Sequence, residues 1–319
     1  MVSLATSDMS VTQRRMTLSI LVGSLLCSAA LAGPAPGSTP MAYVFPPPES
    51  ATDKRMDYYW ELLHAALEAT TAKWGPYRME PSSIVMNAER SQALLADSKT
   101  ISLLVRTTNK DREALMRPIF IPLDKGLTGY RLFLIEKPTQ ARLRNVRSLA
   151  DLKPFSIGQG SRWIDTEILT HAGLTVVTGG GYESLFKMLQ AGRFDLFSRG
   201  INEIGEELQA GRALDPNLAI EQNLMLYYPL PRYFFFARTE EGERLAKRVE
   251  AGLQLLMENG QFETLYQKFK RQMLSGLNLS GRRVFRLENP TLSDQTPLSR
   301  REYWDTLSIE LTPKKSGQR

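Results

Sequence analysis

Cysteine is all but missing from this sequence: Cys27 is alone among 319 residues. Histidine is nearly as scarce, with only His64 and His171. One thiol builds no disulfide framework, and neither histidine has a metal partner at ligand spacing. Histidine-pair protease and nucleophile-elbow patterns are absent. There is no large excess of one charge: 40 basic residues stand against 34 acidic ones, a net +6 that calls for no nucleic-acid partner. Apolar runs long enough to span a bilayer are lacking, as are internal repeats. What remains is 42% apolar and 23% charged residues, the balance of a folded chain with a core. At roughly 100–200 residues per domain, the length suggests two domains.

Residues 1–32 read as a cleavable export signal. Arg14 and Arg15 form a basic start, residues 18–27 (LSILVGSLLC) an apolar stretch, and Ala30-Leu31-Ala32 a small-x-small cleavage site. Leu26 before Cys27 is too large for a lipid-attachment motif, so no lipid anchor is expected. Cleavage after Ala32 would leave an exported protein without cysteine, stable through its cores alone.

Residues 33–40 are a Pro/Gly-rich linker. A short strand is expected over 41–45 and a long amphipathic helix over 54–74, ended by Gly75-Pro76. Residues 101–105 (ISLLV) and 130–135 (YRLFLI) read as buried strands. Beyond them strands and helices alternate: strand 155–158, helix 161–171, strand 174–177, helix 182–191, strand 194–197, helix 202–209, strands 224–227 and 233–237. That alternation argues for mostly parallel sheets with helices on both faces. Two helices, 240–258 and 261–273, follow around Asn259-Gly260, and the tail from 274 reads as irregular.

Four stretches carry a family resemblance. Residues 107–112 (TTNKDR), 156–161 (SIGQGS), 189–197 (LQAGRFDLF) and 253–269 (LQLLMENGQFETLYQKF) resemble, in order and spacing, the type II periplasmic solute-binding proteins that serve amino-acid importers. The resemblance covers about residues 80–272. It implies an α/β fold of two lobes, each a mixed, mostly parallel sheet flanked by helices, with two hinge crossings near 129–136 and 232–238. Lobe one would be 41–130 plus 238–275, lobe two 131–237, and 276–319 a C-terminal tail. The solute would lie between the lobes at the carboxyl ends of strands, and would favour the closed state.

On that resemblance Arg112 forks a solute carboxylate and Thr107 adds a hydroxyl. Ser161 would cap a helix whose free N–H groups suit an anion, with a cap that binds nothing as the plainer alternative. Arg162 and Trp163 follow it and could face the cleft, although tryptophan at such a place is often core. Gly179-Gly180-Gly181 reads as a turn, and Asp195 as structural. The family's amine-binding carboxylate lies five residues beyond that aspartate. Here the position is Gly200, beside Arg199. An ammonium would meet a cation, and an unpaired buried charge costs about 3–5 kcal/mol. Arg199, Arg112 and Arg106 could instead favour a dicarboxylate or another anion. The start of lobe one departs too, with Pro46-Pro47-Pro48-Glu49 and a long helix carrying Tyr58 where the family has an aromatic loop.

The expected function is capture of a small anionic or zwitterionic solute, amino-acid or carboxylate-like, by a monomer that hands it to an inner-membrane importer or a sensor. No cofactor, metal, nucleic acid or enzymatic activity is expected. The alternatives are a protein-interaction module with a degenerate site, and a dehydratase-like enzyme using Glu183 or Glu203 as base.

Overall fold

The computed structural model describes residues 39–48, 53–84, 86, 88–97 and 100–313; the expected leader 1–32, most of the linker 33–40 and Glu49 lie outside them. The first strand, β1 (Met41–Phe45), buries Met41, Tyr43 and Phe45 by simple alternation. Helix Asp57–Ala69 returns the chain to β2 (Tyr77–Pro81), parallel to β1. This helix is shorter than the expected 54–74. Thr70 interrupts it, its hydroxyl turning back to the carbonyls of Ala66 and Leu67, and a separate turn, Thr71–Trp74, follows. The buried stripe Tyr59, Leu62, Leu63, Ala66 packs on helix Glu240–Glu258. The two backbones approach so closely that a Cβ on Gly252 would lie 2.1 Å from the Ala66 carbonyl oxygen. Strands β3 (Leu103–Thr107) and β4 (Arg117–Pro118) continue lobe one, and Ser102 ties β3 to β1 through three hydrogen bonds with Val44.

The chain then crosses into a larger sheet. It contains β5 (Tyr130–Glu136), β6 (Ser156–Gly160), β7 (Thr175–Gly179), β8 (Leu196–Gly200), β9 (Leu218–Ile220) and β10 (Leu224–Tyr227). β6 pairs in parallel with β7 and β8, while the crossing strand β5 runs antiparallel to β8, β9 and β10. Helices cover both faces, as the alternation requires. Phe133, Ile157 and Leu196 share one core with Ile168 and Leu169 of helix Ile164–His171. Leu132, Leu134 and Phe197 lie on the other side with Leu185 and Leu189 of helix Tyr182–Gln190. β8, buried on both faces, reads as a continuous buried run. Asp195 is structural, accepting the backbone and hydroxyl donors of Ser156 at 2.9 and 2.8 Å.

The return crossing is at residues 228–231, because β11 (Arg232–Phe236) pairs antiparallel with β3 and β4 in lobe one. The expected division had left this strand in lobe two. The two crossings touch: Tyr228 N–H donates to Gly129 O at 3.2 Å. Helices Glu240–Glu258 and Gln261–Met273 complete lobe one. The tail is not irregular throughout. β12 (Arg283–Arg286) adds a parallel strand to β10 at the edge of the large sheet. Among the described residues no helix is long and apolar enough to cross a membrane.

Candidate functional site

A cleft of about 880 Å³ lies between the lobes and gathers all six residues singled out in the sequence: Thr107, Arg112, Ser161, Arg162, Trp163 and Arg199. Their local structures differ from expectation in instructive ways.

Thr107 ends β3, and the extended Asn109 caps helix Lys110–Leu115 by accepting the Arg112 N–H at 2.8 Å. The Arg112 guanidinium folds back over the strand end, donating to the Thr107 carbonyl and more loosely to Gln92 Oε1 at 3.5 Å. Burial, and then the like charge of Arg232, push its pKa down from the usual arginine value. Arg232, at the start of β11, donates through Nε to Thr128 Oγ1 at 3.0 Å, and Thr128 donates in turn to the buried Asp124. Among the described residues neither arginine has a carboxylate at ion-pair distance.

Ser161 does not cap a helix. β6 runs on to Gly160, residues 160–163 form a turn closed by Trp163 N–H to Gly160 O at 2.9 Å, and the helix starts at Ile164 with Trp163 as its uncapped N-cap residue. Gly160 is needed there, since a Cβ would come within 2.5 Å of the Trp163 ring. Arg162 points across the mouth of the cleft to Glu89 of lobe one, at 3.1 Å. Both side chains are largely exposed, so the pair is worth little energetically. The triple glycine ends β7 at Gly179 and turns through Gly180 to Gly181, the N-cap residue of the next helix, outside the cleft lining.

Arg199 is not a free cation. Its side chain is buried, and it forks Glu207, with Nε 2.7 Å from Oε2, while Nη2 lies 3.1 Å from Glu203 Oε1. A buried guanidinium demands such partners. It also lies 4.7 Å over the Trp163 ring, which fixes that indole in the cleft wall. Burial disfavours its charge, but Glu207 and Glu203 more than compensate and raise its pKa.

The anticipated lack of a carboxylate beside Gly200 is corrected by two acids the sequence reading had not assigned to solute binding. Asp165 and Glu203 both line the cleft. Asp165 Oδ1 lies 2.7 Å from Arg131 Nη2 and also accepts the Tyr228 hydroxyl, which itself takes Arg131 Nε–H at 3.0 Å. Glu203 Oε1 accepts the Gly200 N–H at 2.9 Å. Burial opposes its ionisation, but Arg199, Arg131 and that N–H prevail and hold the carboxyl below its usual range. Glu207 goes the other way: burial and the charge of Glu203 raise it despite Arg199. Two arginines in the lobe-two wall thus meet three carboxylates. Ser198 Oγ and Asn202 Oδ1, in the same wall, are buried and have no protein partner among the described residues.

A signal for these residues was present. Arg131 stands among the apolar residues 130–135 of β5, and a buried strand rarely carries an arginine without an acid to meet it. A second cavity, about 830 Å³, shares Asn202, Glu203 and Arg232 with the first and runs beneath Pro46–Pro48, Trp60 and Arg106. Tyr58 is no substitute for the family's aromatic loop. It is buried, donating to Leu123 O at 2.7 Å and stacked on Phe269. Glu183 is exposed on its helix, outside the cleft lining.

No family model matches the chain, and no curated protein matches it. Among solved structures it is similar to a histidine kinase sensor domain with similarity to periplasmic binding proteins, at 16% identity over 72% of this chain and 95% of that one, TM-score 0.49. It is similar to an arginine-specific periplasmic binding protein of Salmonella typhimurium, at 15% identity over 72% and 99%, TM-score 0.48. An ancestral arginine-binding protein bound to arginine gives 16% identity over 72% and 97%, TM-score 0.47. At such values they transfer no residue roles, and the two-lobed fold rests on the strand order and the paired crossings.

Proposed function

We propose that the cleft captures a small zwitterionic solute, its carboxylate held by Arg112 and Arg232 of lobe one and its cationic end by Glu203 of lobe two. The observation that carries this reading is the difference in charge balance between the two walls. One presents two arginines without an ion-pair acid among the described residues; the other sets Asp165 and Glu203 against Arg131 and Arg199. A solute with both charges satisfies both walls at once, whereas a dicarboxylate would set its second anion against Glu203. Ser198 Oγ and Asn202 Oδ1 supply further polar contacts. Glu203, held ionised, makes a good counter-ion and a poor general base, which favours binding over dehydratase chemistry. A periplasmic location, a cleaved leader and an importer or sensor partner belong to the same proposal, and rest on the signal-like residues 1–32 and the sequence resemblance.

Melting the protein in the presence of amino acids, dicarboxylates and small anions tests the proposal. A zwitterion at about 100 times its dissociation constant stabilises by about 2.7 kcal/mol. Arg112→Ala abolishes the shift while the unliganded protein stays folded. A folded protein unmoved by every solute overturns the reading in favour of an interaction module.

A further inference from the structure

We infer that residues 287–312, which bring the chain back from β12 to lobe one in a fourth passage between the lobes, form a strap that limits how far the two lobes part. Its bearing on solute exchange rests on the function proposed above; its mechanical role does not.

The strap starts as lobe two. β12 lies parallel to β10, with Arg283 N–H donating to Asn223 O at 2.7 Å and Leu287 N–H to Tyr227 O at 2.8 Å. Arg282, buried, donates to the carbonyls of Glu221 and Leu224 and pins the start of the strand. The chain then passes over the second crossing, where Asn289 Nδ2 donates to Pro229 O at 2.8 Å. It next reaches lobe one at the helix that carries Arg112: Lys110 N–H donates to Thr291 O at 2.9 Å and Lys110 Nζ to Pro290 O at 3.3 Å. Pro290 itself lines the cleft.

A second attachment to lobe one is stronger. Asp305 Oδ2 accepts from Lys270 Nζ and from Tyr266 OH, both at 2.7 Å, and all three groups are largely buried. Asp305 N–H donates to Lys125 O at 2.8 Å, and its carbonyl accepts the hydroxyl of Tyr130 on the first crossing at 3.0 Å. Trp304 lies against Gly126, where a Cβ would come within 2.5 Å of the ring. Tyr303 and Leu307 are buried in the same apolar cluster as Tyr130, Ile201 and Tyr266. The chain finally meets its own start, with Gly281 N–H donating to Leu311 O at 3.0 Å.

The crossings at 126–129 and 228–231 and the passage 274–282 into β12 would by themselves let the lobes swing by bending in those segments. With the strap in place, opening must either break the Asp305 attachment or pull β12 from β10. Each carries several hydrogen bonds, so the lobes keep a narrow range of separation.

Spin labels on an exposed site of each lobe, Lys73→Cys and Lys187→Cys in a Cys27→Ser background, report that separation by pulsed dipolar spectroscopy without any solute. The full chain gives one narrow distance distribution. Ending the chain after Leu287 broadens it and adds a longer-distance population, and Asp305→Asn does so to a smaller degree. A distribution already broad in the full chain, or one unchanged in both variants, overturns the strap. If the truncated chain fails to fold, Asp305→Asn decides alone, broadening in favour and no change against. Because no solute is present, a failure here is separate from a failure of the melting panel.

Discussion

Glu203 occupies the space that a side chain on Gly200 would need. The Gly200 N–H binds its Oε1 at 2.9 Å, and a Cβ on residue 200 would lie 3.1 Å from that oxygen, 2.7 Å from Arg131 Nη1 and 2.5 Å from Asn202 Oδ1. The carboxylate reaches the cleft from three residues further along the chain.

Gly200→Ala should therefore act on binding more than on folding. The obstructing atoms are side-chain ends that can yield, but Glu203 and Arg131 are then displaced from each other and from the solute. Affinity for a zwitterion falls about tenfold, near 1.4 kcal/mol, with little change in the melting temperature of the unliganded protein. Glu203→Gln keeps the bond to Gly200 and loses the charge. It weakens a zwitterion by a similar factor and leaves a simple monocarboxylate unaffected or tighter; isothermal titration of the two solutes against both variants checks this.

Gly129→Ala should damage the hinge itself. Its Cβ would stand 2.1 Å from the Tyr228 carbonyl oxygen, a backbone atom that cannot rotate away. Overpacking of this kind costs about 1–3 kcal/mol or more. The variant should melt several degrees lower, and a melting temperature equal to that of the parent would contradict the contact.

Arg248 is fully buried and takes the place of a cap. Its guanidinium donates to Thr70 Oγ1, Leu67 O and Gly75 O at 2.9–3.2 Å, gathering the carbonyls at the end of helix Asp57–Ala69. Arg248→Met fills much of the volume and leaves Gly75 O without its donor, while Leu67 O keeps the hydroxyls of Thr70 and Thr71. At about 1–3 kcal/mol for an unsatisfied buried group, a loss of about 1–3 kcal/mol is expected in chemical denaturation. Binding should survive, since the residue is remote from the cleft lining.

Glu136, at the end of β5, sets a pH dependence. Burial, and then the adjacent carboxyl of Asp215, raise its pKa from 4.5 to about 7. The folded state therefore holds this proton more tightly than the unfolded chain. The associated stability is present in full below pH 4.5 and is lost as pH rises through 7. Glu136→Gln should raise the melting temperature at pH 8 and leave it nearly unchanged at pH 4, as melts of both proteins across that range would reveal.

How much of this was legible beforehand differs from element to element. Helices 240–258 and 261–273, and the strand over 130–135, match their periodicity or apolar run because burial dominates there. All six candidate residues reached one cleft because each lies at or just beyond the carboxyl end of a strand, a position set by topology. Charge partners were not legible. Whether Arg199 faces a solute or Glu207 depends on a strand-to-helix packing that no local pattern encodes. Ser161 looked like a cap because serine favours that role, yet β6 extends two residues further than its apolar run and moves the helix start to Ile164. β12, with two arginines in four residues, carries too little apolar alternation to be told from loop.

That late strand bears on how the molecule is made. β12 is the partner of β10, and residues 228–282 separate them, including both helices that finish lobe one. On a ribosome, the edge of the large sheet must wait, with the backbone of residues 224–227 unpaired on one side, until nearly the whole polypeptide has emerged. Lobe two therefore cannot be completed as a nascent domain in its own right, and any shortened translation product ending before residue 283 carries an exposed strand edge open to association with its neighbours.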